Sequence, residues 1–313
     1  MIDERDFFWK NFRLGTELQI SGTFIYNGIY SLDNMESFHN VEECFEFLYN
    51  ISVGIERLQK ILVILVEHDE ILSQEEFEKS LITHNHLDLL KRIKLKRQIN
   101  FGKTHTKFLA LLDNFYKTVR YERFNISSVY KPSQEKEKLV DFISCELNIE
   151  LKEELNKFLE NSDRVKTFIG KAIKTITISF FDLIRVETSR LGIFTHEIRY
   201  SSKAFKIFTE QEFDFINEKL MQREVFLHLL KNFPNDELKK FIDNINPLQL
   251  EQYHTNNYIE SMMNIHKNSS VKDEILQLYD NIRPINERIT EIMAIGSDIN
   301  FDDLIDEDYD EFE

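Results

Sequence analysis

Apolar residues recur every three to four positions along most of this 313-residue chain, which is the period of an α-helix. The clearest segment is 36–68, where the stretch from Ile61 to Val66 is apolar on every side. A helix that is apolar all round lies between neighbouring elements. We therefore predict one long, central helix over residues 36–68.

The same spacing predicts further helices over residues 84–98, 103–120, 135–160 and 165–200. Residues 175–181 also alternate β-branched and other side chains, so a strand stays open there. We favour a helix, because no partner strand or strong turn signal lies nearby. The pattern leaves residues 14–30 undecided, since Gly22 and Gly28 interrupt an apolar run.

Cap residues predict where several helices start. The expected starts are the capping boxes 73–76 and 209–212, the pair Asn246-Pro247, and Ser270, which opens a last helix toward Pro284. The helix after 209–212 is expected to reach about residue 231, and the helix after Asn246-Pro247 about residue 266.

Composition supports a folded, all-α protein. Hydrophobic residues make up 42% and charged residues 30% of the chain, whereas it has only 8 Gly and 4 Pro to form turns. The length allows one large or two ordinary domains. We predict a helical domain over 1–205 that includes an N-terminal extension, a C-terminal helical region over 206–300, and an acidic tail over 301–313.

Charge and cysteine content limit which partners, metal sites and cell compartments the sequence favours. The formal net charge is −16, and half of the imbalance lies in 301–313, which hold eight Asp or Glu and no Lys or Arg. This balance weighs against non-specific nucleic-acid binding but allows a small basic cleft, for example at residues 91–97. We predict that the tail is mobile, with the hypothesis that it docks on such a groove of its own chain or of a partner. The alternative is a charged terminus that touches nothing. Cys44 and Cys145 have no zinc-site spacing and suit a reducing cytoplasm.

No segment reads as a signal peptide or a membrane span, so we expect a cytoplasmic protein without membrane contact. Glycine-rich phosphate loops, Gly-x-Ser-x-Gly elbows and His-Glu-x-x-His helices are absent from the sequence. The common nucleotide-dependent and hydrolytic enzyme classes are therefore disfavoured.

Three segments, taken in order, resemble a known family. They read Glu-Arg-Leu-Gln-Lys at 56–60, His-Asn-His-Leu-Asp-Leu-Leu at 84–90 and Tyr-Lys-Thr-Val-Arg-Tyr at 116–121. This order resembles the HEPN superfamily, in which an apolar helix with a Glu-(Lys/Arg)-Leu-x-Lys element precedes a short His- and Leu-containing helix and a third helix that ends in Arg-Tyr. The resemblance covers residues 36–200 and implies a HEPN-like helical bundle, here with a C-terminal helical extension.

The resemblance implies two functions that remain open. One is a metal-independent endoribonuclease, such as a toxin or antiviral defence effector, that acts on RNA as a homodimer without a cofactor. The alternative is a non-catalytic HEPN-like module that works through protein contacts. An antitoxin or regulatory protein would be a natural partner of either form.

The resemblance also implies the site residues. Arg120 would hold the scissile phosphate, and Asn125 stands where active members carry the proton-transferring His. Asn can form hydrogen bonds but cannot exchange a proton near neutral pH. Alternatively, Arg120 caps its helix while Tyr121 packs under it. Arg190 and His196 form a second Arg-x5-His pair, unless His196 is an ordinary surface or satisfied histidine. In a combined site, helix packing would bring His196 to Arg120 as the acid–base group.

Further polar residues would line the cleft. The expected substrate-binding residues are Glu56, Lys60, Tyr121 and Arg123. Glu56 and Lys60 are four positions apart, so a simple helix salt bridge is the alternative for that pair. The spacing of His84, His86 and Asp88 is typical of a strand and lacks a further ligand cluster, and we predict no metal site.

Overall fold

The structure, a computed structural model, describes residues 4–67, 73–119, 124–126, 134–151, 159–231, 236–251, 254–263 and 269–295. Within these ranges the chain forms helices and no strand, apart from an isolated bridge between Ser37 and Glu160. This confirms the predicted all-α class. The acidic tail, 301–313, lies outside the described residues. The chain divides into two compact units, Met1–Phe215 and Ile216–Glu313.

In its described residues, the first unit is a bundle of α-helices with three short π-helical turns. Its α-helices are α1 (Glu4–Phe8), α2 (Leu14–Asn34), α3 (Val41–Glu67), α4 (Gln74–Ser80), α5 (His86–Lys96), α6 (Lys103–Asn114), α7 (Gln134–Leu147), α8 (Asp163–Leu191) and α9 (Lys203–Phe205). The π-helical turns are Trp9–Arg13, Phe115–Val119 and Lys206–Glu210. Ser73 caps α4 by accepting a hydrogen bond from the Glu76 amide, as its capping box predicts.

Helix α3 lies at the centre of the first unit. It contacts α2, α5 and α8, and nearly every residue from Asn50 to Val66 is buried. The predicted central helix is therefore present, but it starts at Val41 rather than at residue 36. The preceding residues form other bonds: Phe38 donates its amide to the Leu159 carbonyl, and the Asn161 side chain donates to the Leu32 and Met35 carbonyls.

The undecided segment 14–30 is helical because glycine allows α2 to approach its neighbours closely. A Cβ added at Gly22 would lie 2.5 Å from the Ala204 Cβ and 2.7 Å from the Phe208 ring. On the α3 side, the Ser21 hydroxyl donates a 2.7 Å hydrogen bond to the Gly54 carbonyl. The glycines of this helix therefore serve packing rather than a turn.

Replacing Gly22 with alanine should destabilise the protein, because the new methyl group overlaps Ala204 and Phe208. We expect a loss of about 1–3 kcal/mol in the free energy of unfolding, measured by urea denaturation. Gly15→Ala is the matched control on the same helix, since its Cβ would lie 3.7 Å from the nearest atom, the Thr195 carbonyl oxygen. That change should stabilise by up to about 1 kcal/mol through helix propensity. Equal effects at the two positions would contradict the close packing of α2.

Several helices end before the apolar pattern does. Helix α7 ends at Leu147, followed by Asn148 with φ 51°, so the predicted helix 135–160 is too long. Helix α8 ends at Leu191, because Gly192 takes a left-handed conformation with φ 68° and the Ile193 amide bonds back to the Thr188 carbonyl. Residues 175–181 lie inside α8, so the strand alternative is wrong there.

The predicted capping box at 209–212 does not start a helix. Ser202 acts as a cap instead, since its hydroxyl accepts a 3.1 Å hydrogen bond from the Phe205 amide. The Phe208 and Phe215 rings then pack on the first unit, against Phe181 at 4.7 Å and Tyr26 at 5.2 Å between centroids. The unit boundary consequently lies after Phe215, ten residues beyond the position predicted near 205.

The second unit contains helices α10 (Ile216–Lys231), α11 (Asp236–Asn244), α12 (Thr255–Met263), α13 (Ser269–Tyr279) and α14 (Ile285–Ala294). The helix predicted to start at Asn246-Pro247 starts at Thr255, because the Glu251 amide donates to the Glu274 carboxylate of α13 instead of to a helical carbonyl. The last predicted helix is split into α13 and α14, with Pro284 at the cap of α14.

Nowhere in the described ranges is a helix long and apolar enough to cross a membrane.

Candidate functional site

The central helix carries a group of polar side chains that helix geometry places on one side. Glu56, Gln59 and Lys60 are three and four positions apart, so they share a face. Glu56 and Gln59 are buried. Arg57 points elsewhere: it forms an ion pair with Glu17 of α2, and its guanidinium lies 5.6 Å from the Phe24 ring centre. Within the family-like element at 56–60, the site is therefore formed by Glu56, Gln59 and Lys60.

The Glu56 carboxylate binds two nitrogen atoms, one of Lys60 and one of His84. Its Oε1 lies 2.5 Å from the Lys60 Nζ, so the predicted pair of residues is in contact. Its Oε2 lies 3.0 Å from the His84 Nδ1, just before α5. The carboxylate side chain is only 7% exposed, whereas the His84 side chain is 48% exposed. A buried acid therefore orients a half-exposed imidazole.

The orientation of His84 leaves one ring nitrogen available. A carboxylate can only accept hydrogen bonds, so the His84 Nδ1 carries the proton of this contact. The neutral ring then has its lone pair on Nε2, the atom on the side away from Glu56. An edge-to-face contact with the Tyr116 ring, 4.7 Å between centroids, also holds the imidazole. The arrangement is suited to proton transfer at Nε2.

A second histidine, His86, lies beneath this pair and is fully buried. Its Nδ1 is 3.1 Å from the Gln59 Oε1, and the Gln59 amide donates a 2.9 Å bond to the His86 carbonyl. The His86 Nε2 has no hydrogen-bond partner. Burial, with the positive charges of Lys117, His84 and Lys60, lowers the pKa of His86 from 6.5 to about 3. His86 is therefore a neutral, structural group.

The end of α6 forms the other wall of the site. Tyr116 is buried, and the Lys117 Nζ lies 2.9 Å from the Asp113 carboxylate one turn earlier. The chain then runs directly into three predicted site residues. Arg120, Tyr121 and Arg123 lie outside the described residues. Asn125 is described and exposed.

The other predicted pair, Arg190 and His196, has different surroundings. Arg190 donates from Nε to Glu187 at 2.9 Å, and Arg97 donates to the same carboxylate, at 2.7 Å from Nη2. Glu187 is buried; burial would raise its pKa, but the bonds from Arg97 and Arg190 outweigh that effect and lower it. Arg190 thus takes part in a shared ion pair at the end of α8.

His196 lies beyond the end of α8, in the loop after Gly192. Its Nδ1 is 2.8 Å from the Thr188 hydroxyl, which also donates to the Arg185 carbonyl. The loop is bound to the N-terminal segment, because the Thr195 hydroxyl donates to the Lys10 carbonyl. His196 therefore sits in an ordered loop rather than on the helix that the apolar pattern extended to residue 200.

These two groups of residues lie at opposite ends of α5. His84 immediately precedes the N-terminal cap of α5, whereas Arg97 follows its last residue and contacts Glu187. Helix α5 has 11 residues, which at 1.5 Å per residue separates its ends by about 16 Å. The structure thus brings Glu56, Lys60 and His84 together, and it places the Arg190 and His196 pair elsewhere.

The His-x-His-x-Asp motif does not converge on one point. His84 contacts Glu56, His86 contacts Gln59, and Asp88 contacts Asn85, the cap of α5. Within the described part of the chain, no three His, Cys, Asp or Glu side chains form a group that could hold a metal ion.

The main residue that the sequence did not assign to catalysis is His84. It belongs to a motif considered only for metal binding, and its partner Glu56 lies 28 positions earlier. One sequence feature could have identified His84: it directly precedes the cap residue Asn85, in the segment 84–90 that resembles the family pattern. Comparison with protein-family models, curated proteins and solved structures found no match to this chain.

Proposed function

We propose that the protein is a metal-independent endoribonuclease whose acid–base group is the His84–Glu56 pair. One observation carries the proposal: a buried carboxylate binds the Nδ1 of a half-exposed imidazole. This arrangement fixes the tautomer of the ring and supports a positive charge on it after proton uptake. HEPN-like resemblance, rather than the pair itself, points to RNA as the substrate.

The reaction would be an internal transesterification. The His84 Nε2 takes the proton of a ribose 2′-hydroxyl, and the 2′-oxygen attacks the adjacent phosphorus. The bond from phosphorus to the 5′-oxygen breaks, and that oxygen takes a proton from a water molecule. The resulting hydroxide takes up the proton held on His84, which restores the neutral ring. The products are a 2′,3′-cyclic phosphate and a free 5′-hydroxyl. General acid–base catalysis of this type contributes roughly 10²- to 10⁴-fold to the rate.

Charged residues near the pair would bind the phosphate. The Lys60 ammonium lies beside Glu56 with a quarter of its side chain exposed. Arg120 is the phosphate-binding residue implied by the resemblance, and a guanidinium suits this role because it is permanently charged and bidentate. Tyr121, Arg123, a homodimer, and a toxin or antiviral role remain predictions that rest on the resemblance alone.

The test is the chemistry of cleavage by the wild-type protein. Incubated with a single-stranded RNA of mixed sequence in the presence of EDTA, the protein should produce fragments with cyclic phosphate and 5′-hydroxyl ends, as read by mass spectrometry. A single 2′-deoxynucleotide at a cleaved position should block cleavage there, because the attacking hydroxyl is absent. Cleavage that requires magnesium or leaves 5′-phosphates would overturn the mechanism.

A non-catalytic interaction module is the second candidate, and helix α10 favours it. Six apolar side chains of this helix are 44–62% exposed: Ile216, Leu220, Met221, Val225, Leu227 and Leu229. At 100° per residue these side chains lie on two opposite sides of the helix. Each side therefore exposes apolar surface, whereas a solvated helix face is normally polar. Absence of RNA cleavage under the conditions above would favour this function.

A further inference from the structure

The outer face of α5 carries positive charge that no described acid neutralises. Lys91 and Lys94 are exposed and have no ion-pair partner among the described residues. Arg92, by contrast, points sideways and binds Glu67 at 2.6 Å. The one acid of the helix is Asp88 in its first turn, where it is bonded to the cap residue Asn85. Lys91 and Lys94 therefore present positive charge to solvent along this face of α5.

A basic cavity lies at the C-terminal end of the same helix. It has a volume of 380 Å³, and its lining, residues 94–100, includes three basic side chains and two amides but no carboxylate. The basic residues are Lys94, Lys96 and Arg97. The full positive charge of Lys94 alone exceeds the partial negative charge of about half a unit at a helix C-terminus. The cavity is therefore suited to an anion such as a phosphate group.

Two arginines lie at that end of the helix. Both bind the buried Glu187 carboxylate, Arg97 from Nη2 at 2.7 Å and Arg190 from Nε at 2.9 Å. The Arg190 side chain is 49% exposed, so it is open to solvent on its outer side. Leu95, 75% exposed, adds an apolar surface between Lys94 and Lys96.

We infer that a single RNA strand runs along the outer face of α5, from His84 at one end to the cavity lined by residues 94–100 at the other. This inference rests on the proposed function. Lys91 and Lys94 contact phosphates of the strand in between. A stacked strand rises about 3.4 Å per nucleotide, so the helix length of about 16 Å matches about five nucleotides. An isolated scissile dinucleotide reaches only the His84 end.

The experiment measures RNA binding under conditions in which the RNA cannot be cleaved. The full-length protein is titrated into a fluorescein-labelled 12-nucleotide RNA with 2′-O-methyl riboses, which cannot be cleaved by 2′-hydroxyl attack, and anisotropy is recorded at several salt concentrations. Each phosphate contact with a single strand contributes about 0.7 to the slope of log affinity against log salt. The double variant Lys91→Gln/Lys94→Gln should therefore lower the slope by about 1.4. A fourfold rise in salt should weaken wild-type binding about sevenfold more than variant binding.

The matched control is Lys171→Gln/Lys203→Gln. Both lysines are exposed, and they lie away from α5: Lys171 is about 24 Å before Glu187 along α8, and Lys203 bonds to Asn27 of α2. This control should bind with the wild-type affinity and slope. In cleavage assays, the α5 double variant should retain wild-type activity on a dinucleotide while losing activity on the 12-nucleotide RNA with natural riboses.

The outcomes separate this inference from the proposed function. Wild-type cleavage together with unchanged binding by the α5 double variant would overturn the strand path and leave the ribonuclease intact. Lysine-dependent RNA binding without any cleavage would support the path and contradict the ribonuclease. Absence of RNA binding, with lysine-dependent binding of a poly-glutamate peptide instead, would overturn the path and assign the face to an acidic protein segment.

Discussion

Replacing His84 with alanine should lower the rate of RNA cleavage by about 10²- to 10⁴-fold, the range that a lost acid–base group usually costs. The physical reason is that His84 is the half-exposed imidazole of the cluster and that the buried Glu56 carboxylate holds its Nδ1. The folded structure should tolerate the change, because about half of the side chain is already exposed. The rate is measured by single-turnover cleavage of a labelled RNA, with circular dichroism as the folding check.

One further variant and a rescue experiment separate the roles of His84 and Glu56. Glu56→Gln keeps a side chain that can accept a hydrogen bond but removes the negative charge that supports imidazolium, so its loss of rate should be smaller than that of His84→Ala. Added imidazole should partly restore His84→Ala, because the site is open to solvent. It should not restore Glu56→Gln, in which the His84 ring is still present.

His196→Ala is the matched histidine control. Its imidazole contacts Thr188 near the end of α8, and this group lies at the opposite end of α5 from Glu56, so cleavage should proceed at the wild-type rate. The reverse pattern, with full activity in His84→Ala and loss of activity in His196→Ala, would move the acid–base group to the Arg190–His196 pair and refute the proposed site.

The stability of the protein should fall steeply in mild acid because of His86. The buried ring stays neutral in the folded state down to a pKa of about 3, whereas the unfolded chain takes up the proton below 6.5. Between these values the unfolded state binds more protons, so acid favours unfolding. The cost approaches about 3 kcal/mol at pH 4.5, is absent above about pH 7, and levels off below pH 3.

His86→Gln isolates this contribution. A glutamine amide can still donate to Gln59 but does not titrate, so the free energy of unfolding should fall less between pH 7 and 4.5 than in the wild type. Urea denaturation at a series of pH values measures the difference, and the other ionisable groups cancel in the comparison. Parallel pH profiles for the two proteins would show that His86 is accessible to protons in the folded state.

The helices were largely predictable because their signals are local. The period of apolar residues predicted α3, α5, α6 and α8, and the Ser73 box marked the start of α4. Prediction failed at ends set by distant contacts. Thr209 has a suitable cap sequence, yet the chain around it packs through Phe208 against Phe181, and this burial outweighs a cap worth about 1 kcal/mol.

The site was predictable only in part. For Glu56 and Lys60, one helical turn apart, a helix salt bridge was the alternative to substrate binding, and that salt bridge forms. The contact between His84 and Glu56 could not be predicted from the sequence, because no local rule relates two residues that lie 28 positions apart on different segments of the chain. Arg120, Tyr121 and Arg123 remain predictions from the resemblance.

By itself, the sequence determined that this protein is all-α, that a helix apolar on every side lies at its centre, and which cationic residues follow each other along α5. Those properties depend on spacing within one helix, where geometry is set by the backbone. The tertiary structure alone decided that Glu56 faces His84, that Arg190 shares Glu187 with Arg97, and that the first unit continues to Phe215. These pairings follow from how apolar faces pack, which joins positions that the chain keeps far apart.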